Sequence, residues 1–228
     1  LVSLKADVLV VPGRKSREFY EKLGVSKERI FVAPNASYVE ISGHHKNQAQ
    51  ELREKLGLTG KTVLLYLGRV VISKGVHILL RAFAKLCKER DDLYLMIAGN
   101  ADYRYKAVLN RICKECGLNN VLFTGFIPVS DRGSYFILAD VVVYPSLHEA
   151  WGLVINEAMS AGKPVISTTT CGAAYDLIKN SINGYIVPSG NITALYDSLK
   201  KLVEKPILIR KFGSASKKII EQGYTYHH

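Results

Sequence analysis

The chain lacks most features that would settle its class at once. No apolar run reaches the ~18–20 residues needed to span a bilayer. There is no D-x-D triplet, and His44, His45, His77 and His148 have no carboxylate at a helical metal-ligand spacing, so no metal site is expected. Of the four cysteines, Cys113 and Cys116 form an isolated C-x-x-C without the second ligand pair that zinc needs, and Cys87 and Cys171 stand apart. Reduced, partly buried thiols and an intracellular protein are expected. No helix-turn-helix, RNA-recognition or zinc-finger pattern is present, which argues against a nucleic-acid partner. Leu1-Val2-Ser3-Leu4-Lys5 has neither an initiator Met nor a signal-peptide pattern and reads as the interior of a longer protein, while His227-His228 reads as a tag remnant or a natural end.

Acidic residues are the minority: 20 Asp and Glu face 31 Lys and Arg, a net charge of +11 over 228 residues. The excess is spread along the chain, as on a solvated basic surface, and suits an anionic partner such as a nucleotide diphosphate or an acidic lipid surface. With 48% hydrophobic residues the chain can bury one good core.

Short, continuous Val/Ile/Leu/Tyr runs at 7–11, 30–32, 62–67, 93–98, 121–124, 140–144, 164–168 and 184–187 predict strands buried on both faces. Helical periodicity fills most gaps, at 15–23, 46–56, 74–90, 105–116, 153–161, 192–203 and 207–222. This alternation predicts an α/β fold, a Rossmann-like doubly wound parallel sheet whose ligands bind beyond the carboxyl ends of the strands.

The most informative stretch is Pro145-Ser146-Leu147-His148-Glu149-Ala150-Trp151-Gly152-Leu153-Val154-Ile155-Asn156-Glu157-Ala158-Met159-Ser160-Ala161-Gly162-Lys163-Pro164-Val165. It runs from a strand through a loop into a helix that Gly162 and Pro164 stop. Free N–H groups and the helix dipole at such a junction favour a phosphate. Glu149 at the mouth and Glu157 a turn inside accept hydrogen bonds from hydroxyls. A phosphate flanked by two hydroxyl-reading carboxylates describes a sugar nucleotide.

This run resembles the E-x7-E motif of the retaining GT-B glycosyltransferases of family GT4, the glycosyl transferases group 1 domain. Ala150 and Trp151 stand where Gly and Phe are usual, and Asn156 replaces an apolar residue. Gly68-Arg69-Val70-Val71-Ile72-Ser73-Lys74-Gly75 resembles the family's G-R-x-x-x-x-K-G segment. Phe123-Thr124-Gly125-Phe126-Ile127 and Asn183-Gly184-Tyr185-Ile186-Val187-Pro188 resemble two further blocks. Departures fall at Asn35-Ala36-Ser37-Tyr38, Gly99-Asn100-Ala101 and Cys171-Gly172-Ala173-Ala174-Tyr175-Asp176.

The resemblance implies a C-terminal GT-B half that binds a UDP- or GDP-sugar without cofactor or metal. Residues 1–36 would be the tail of the N-terminal domain and the crossover, 37–205 the donor-binding domain, and 206–228 a C-terminal helix returning toward the other half. Arg69 and Lys74 would carry the diphosphate charge, Glu149 the transferred sugar and Glu157 the ribose. Gly68, Gly152 and Leu153 would line the phosphates and Phe126 the base, with Trp151 either lining the site or packing behind it. Arg69, Lys74 and Glu149 are the candidate catalytic residues. A hexosyltransferase acting on a glycan or lipid-linked acceptor is implied, in the cytoplasm or at the cytoplasmic face of a membrane, with peripheral membrane contact. The chain alone is expected to be inactive in transfer. A nucleotide-sugar epimerase, a phosphorylase-like enzyme and a non-catalytic nucleotide-sugar-binding module are the competing readings.

Overall fold

A computed structural model of the chain describes residues 5–224. Residues 1–4 and 225–228, including the His227-His228 pair, lie outside them. Eight strands are present among the described residues, each within two residues of the run that predicts it: β1 (Leu9–Val11), β2 (Ile30–Val32), β3 (Thr62–Leu67), β4 (Leu93–Ala98), β5 (Val121–Gly125), β6 (Val141–Tyr144), β7 (Val165–Thr168) and β8 (Gly184–Val187). The last six form one parallel sheet in the order β5-β4-β3-β6-β7-β8. Val63, Leu64, Leu65, Val141, Val142 and Val143 in its centre are fully buried, so unbroken apolar runs, rather than alternation, mark it.

Nine helices flank or precede the sheet among the described residues: α1 (Arg14–Lys22), α2 (Gly43–Lys55), α3 (Val76–Cys87), α4 (Tyr103–Glu115), α5 (Arg132–Leu138), α6 (Leu153–Ser160), α7 (Gly172–Leu177), α8 (Ile192–Val203) and α9 (Pro206–Glu221). Helix α3 packs on α4 and α8, α2 on α5, and α6 on α9. Side chains cap α4 and α8: Asp102 accepts from the Arg104 and Tyr105 amides at 3.0 and 3.2 Å, and Asn191 from the Ala194 amide at 2.9 Å. Helices α5 and α7 are unpredicted; with seven and six residues they are too short to show an amphipathic repeat. One expected boundary also differs. The helix read from residue 74 is a 3-10 turn over Ile72–Lys74, a break at Gly75 with φ +69, and then α3. A Cβ at Gly75 would overlap the Pro145 carbonyl oxygen, so glycine lets the loops after β3 and β6 close on each other.

Strands β1 and β2 pair in parallel as a separate two-stranded sheet with its own small core of Val11, Val25 and Ile30. That β1-α1-β2 unit docks on the larger body through α1 and α7. Arg14 Nε meets Asp176 Oδ1 at 2.5 Å, its guanidinium lies 5.0 Å from the Tyr175 ring centroid, and Lys15 Nζ donates to the Thr169 carbonyl. Helix α9 packs along α6 and α8, and Tyr224 beyond its end comes close to the Arg14–Asp176 pair.

Candidate functional site

The sheet order reverses between β3 and β6: the chain runs outward from β3 to β5, then crosses back to β6. The loops leaving adjacent strands at such a switch point separate and open a crevice. Here they are the loops carrying Gly68–Gly75 and Pro145–Gly152, stitched by Leu147 N to Ser73 O at 2.8 Å and Ser146 Oγ to Ser73 O at 3.2 Å. Two adjoining clefts follow. One of about 370 Å³ lies among Gly68, Arg69, Asn100, Phe126 and Arg132. The other, of about 450 Å³, lies among Gly68, Arg132, Tyr144, Glu149, Gly152 and Glu157. Leu67, Gly68 and Arg132 belong to both, so the two form one groove.

Glu149 is fixed at both ends. Its backbone N–H bonds to the Thr170 carbonyl at 3.3 Å and its carbonyl accepts from Gly172 N at 3.1 Å. Its Oε2 accepts from Lys74 Nζ and from the Tyr144 hydroxyl, each at 2.6 Å. Burial would raise its pKa, but the Lys74 ammonium and Tyr144 hydroxyl outweigh that and hold it below the usual carboxylate value. Burial and the adjacent carboxylate push the Tyr144 phenol upward, so it stays a donor. Lys74 is only 8% exposed and also reaches the His148 carbonyl at 3.4 Å.

Gly152, at φ +102, turns the chain into α6. A Cβ there would stand 3.0 Å from Cys171 Sγ and 3.2 Å from Glu149 Cγ, so a side chain would press on the carboxylate. The amides of Leu153 and Val154 follow in the first turn, where no intrahelical acceptor exists. Cys171 packs behind the turn, and burial pushes its thiol up to about 11, so it stays protonated.

Glu157, in the body of α6, is buried and paired with Arg132 Nη1 at 2.7 Å, with Ser37 Oγ at 3.5 Å from the same carboxylate oxygen. Desolvation outweighs the guanidinium's charge and raises its pKa. Arg132 begins the unpredicted α5; its partner lies 25 positions away, and no local pattern marks it. Tyr144 ends β6, where a polar-tipped aromatic closing a strand at the groove is the only sequence signal for its role.

The remaining expected residues divide into two groups. Arg69 is exposed at the groove with no ion-pair partner among the described residues, while its carbonyl accepts from the Tyr66 hydroxyl at 2.6 Å. Phe126, 66% exposed, walls the far end of the first cleft. Trp151 is different: its side chain is 4% exposed, and its indole N–H donates to Asn156 Oδ1 at 3.0 Å. Asn156 in turn donates to the Asn35 carbonyl at 2.9 Å. The Trp151 ring thus packs behind the groove and touches α1 near Gly13.

Among the described residues no group of three or more His, Cys, Asp or Glu is arranged to hold a metal, and no helix is long and apolar enough to cross a membrane. All four cysteines are free.

The family model for glycosyl transferases group 1 matches residues 48–219. The chain is 30% identical over 205 residues to the alpha-D-kanosaminyltransferase of Streptomyces kanamyceticus, covering 89% of this chain and 52% of that protein. It is also 30% identical over 210 residues to the lipopolysaccharide 1,2-N-acetylglucosaminetransferase of Salmonella typhimurium, covering 86% and 53%. The chain thus spans about half the length of the curated relatives it matches. The Anabaena protein HepE, solved in complex with UDP and glucose, superposes with a TM-score of 0.86 at 25% identity, over 98% of this chain and 62% of that one. Switch-point sheet, motif loops and family match agree, and the chain is a C-terminal GT-B domain belonging to the glycosyl transferases group 1 family.

Proposed function

We propose that the groove binds a nucleoside-diphosphate sugar, and that the chain is the donor-binding half of a retaining hexosyltransferase of the GT4 type. The observation that carries this reading is the continuity of the groove. The cleft beside Phe126 leads past Glu157 to a helix N-terminus flanked by Lys74 and Glu149. Base, ribose, diphosphate and sugar follow in the same order. The UDP and glucose reported with the Anabaena neighbour support a nucleotide of this kind.

In this reading the Gly152, Leu153 and Val154 amides hold a phosphate at the positive end of α6. Arg69 brings a forked cation to the groove and Lys74 a point charge, and both stabilise the leaving diphosphate as charge accumulates on it. An ammonium has three donors. Lys74 therefore keeps Glu149 and the His148 carbonyl while offering one to a phosphate oxygen. Glu149, held ionised by Lys74 and Tyr144, accepts from the sugar's hydroxyls. The acceptor would approach through a third cavity of about 410 Å³, which opens off Glu149 beside Lys15, Phe19, Tyr20 and His148. In a retaining reaction its hydroxyl attacks from the face the diphosphate leaves, and the leaving phosphate takes the proton. No cofactor or metal is assigned a step. Glycan and lipid-linked hydroxyls are the acceptor classes, the latter reached at a cytoplasmic membrane face. Nucleotide binding is expected of this chain, and transfer only of the two-domain enzyme.

Titration calorimetry with UDP, GDP and ADP tests the reading. One nucleotide is expected to saturate the chain, and Glu157→Ala is expected to weaken it by about 1.5–3 kcal/mol, the worth of hydrogen bonds to a charged group. Equal, non-saturating heats for all three would overturn it.

A further inference from the structure

The only two buried side-chain polar atoms without a hydrogen bond among the described residues belong to one ion pair: Nε of Arg132 and Oε2 of Glu157. The pair is joined through its other atoms, Nη1 to Oε1 at 2.7 Å, and so leaves one donor and one acceptor idle. Buried groups of this strength are almost always satisfied, and each unmet one costs free energy. The closed pair is therefore not the arrangement in which the two side chains are fully used.

Where they sit says what would use them. Arg132 is the one charged residue that lines both clefts, at the joint between the Phe126 end and the α6 end. About a quarter of its side chain is exposed, so the guanidinium has room to swing, whereas Glu157 is held in the body of the helix. A group that fills the idle pair must donate to a carboxylate and accept from a guanidinium at adjacent atoms. A vicinal diol does this, because each hydroxyl is both donor and acceptor. A phosphate lacks the donor at neutral pH, and an apolar ring lacks both.

Resting on the donor-site reading above, we propose that Arg132 is a second ribose-reading residue. The Arg132–Glu157 pair opens to take the 2′,3′-diol, with Glu157 accepting from one hydroxyl and Arg132 Nε donating to the oxygen of a hydroxyl. Arg132 thereby sets the preference for ribonucleotide over deoxyribonucleotide, beyond neutralising Glu157. Burial raises the Glu157 pKa, so the pair also keeps the carboxylate available as an anion until the diol arrives.

The test is a cycle of protein and ligand changes, read by calorimetry at pH 8 on the whole chain: unaltered, Arg132→Met and Arg132→Lys, each against UDP, 2′-deoxy-UDP and 3′-deoxy-UDP. GDP and its deoxy forms replace these if only GDP binds. The unaltered chain is expected to bind at least one deoxy form ~10-fold or more weakly than UDP, a charged hydrogen bond being lost. In Arg132→Met the discrimination against at least one deoxy form is expected to fall below about threefold, while Glu157 still reads the hydroxyl it accepts from. Arg132→Lys keeps a cation beside Glu157 but not the Nε donor, so it is expected to bind UDP within a few-fold and to lose the discrimination too. It carries the test if the Met variant does not fold. If both variants bind all three nucleotides more weakly by one common factor, Arg132 is only a counter-ion and the proposal fails, with the donor site intact. If the unaltered chain binds neither UDP nor GDP, the donor-site reading fails first and this inference with it.

Discussion

Replacing Lys74 by Met removes the ammonium and keeps most of the side chain's volume, so the cost falls almost wholly on Glu149. That carboxylate's side chain is 18% exposed and would be left with the Tyr144 hydroxyl and a backbone amide. Breaking a buried pair by deleting one partner costs about 3–5 kcal/mol, but a stranded carboxylate can also take up a proton. From an ordinary carboxyl value of 4.5, protonation at pH 7 costs about 3.4 kcal/mol, at ~1.36 kcal/mol per pH unit. The penalty is thus capped near 3 kcal/mol at pH 7 and falls to roughly 1 kcal/mol at pH 5. The sign follows from the direction of the shift. With Lys74 present the folded value is depressed, so the unaltered chain keeps this contribution above the ordinary carboxyl range and loses it only as pH falls below that range. Without Lys74, burial dominates and the folded value is raised, so the variant loses stability as pH rises. Urea unfolding of both proteins at pH 5, 6 and 7 should show their difference shrinking toward acid. In the Lys74→Met/Glu149→Gln double variant that slope should vanish. A difference constant from pH 5 to 7 would refute the claim that Lys74 holds a buried, ionised Glu149.

Three further outcomes follow from the same geometry. Glu157→Gln should raise the melting temperature of the nucleotide-free chain at pH 8, because burial penalises the ionised acid. The gain should disappear as pH falls through the ordinary carboxyl range, and nucleotide affinity should drop despite it; a less stable variant at pH 8 would count against the burial argument. Trp151→Phe should cost about 1–3 kcal/mol in urea unfolding followed by circular dichroism, since it strands the fully buried Asn156 Oδ1. Pairing it with Asn156→Leu should recover part of that loss. Gly75→Ala should cost more than ~3 kcal/mol or prevent folding, because the left-handed backbone is strained and the new Cβ meets the Pro145 carbonyl oxygen. A soluble variant with an unchanged melting temperature would show that the two loops are not in contact.

What the sequence discloses divides along physical lines. The six strands of the large sheet were legible because a parallel sheet covered on both faces demands continuous apolar runs, as at Val141–Tyr144, whereas β1 and β2, read the same way, lie in the small sheet with Val10 and Phe31 exposed. Glu149, Gly152 and Glu157 were legible because one strand-loop-helix segment carries them, and Lys74 because a second such segment does. Arg132 was not: its meaning lies in Glu157, which the fold brings to it from another helix, and α5 is too short to announce itself. The break at Gly75 was hidden for a similar reason, since its cause is a carbonyl 70 positions away. Two of the three departures within the Glu149 run show the limit best. Read singly, Trp151 and Asn156 each weaken the resemblance. Together they are one change, because an indole in place of a phenyl ring brings a buried N–H that needs an acceptor, and Asn156 supplies it while tying α6 to Asn35. A buried polar residue at an apolar position of a motif thus implies a partner elsewhere in the fold. By the same logic the Arg132–Glu157 pair, whose partners are incomplete among the described residues, points outward to a ligand, whereas the Trp151–Asn156 pair, complete among them, points to packing.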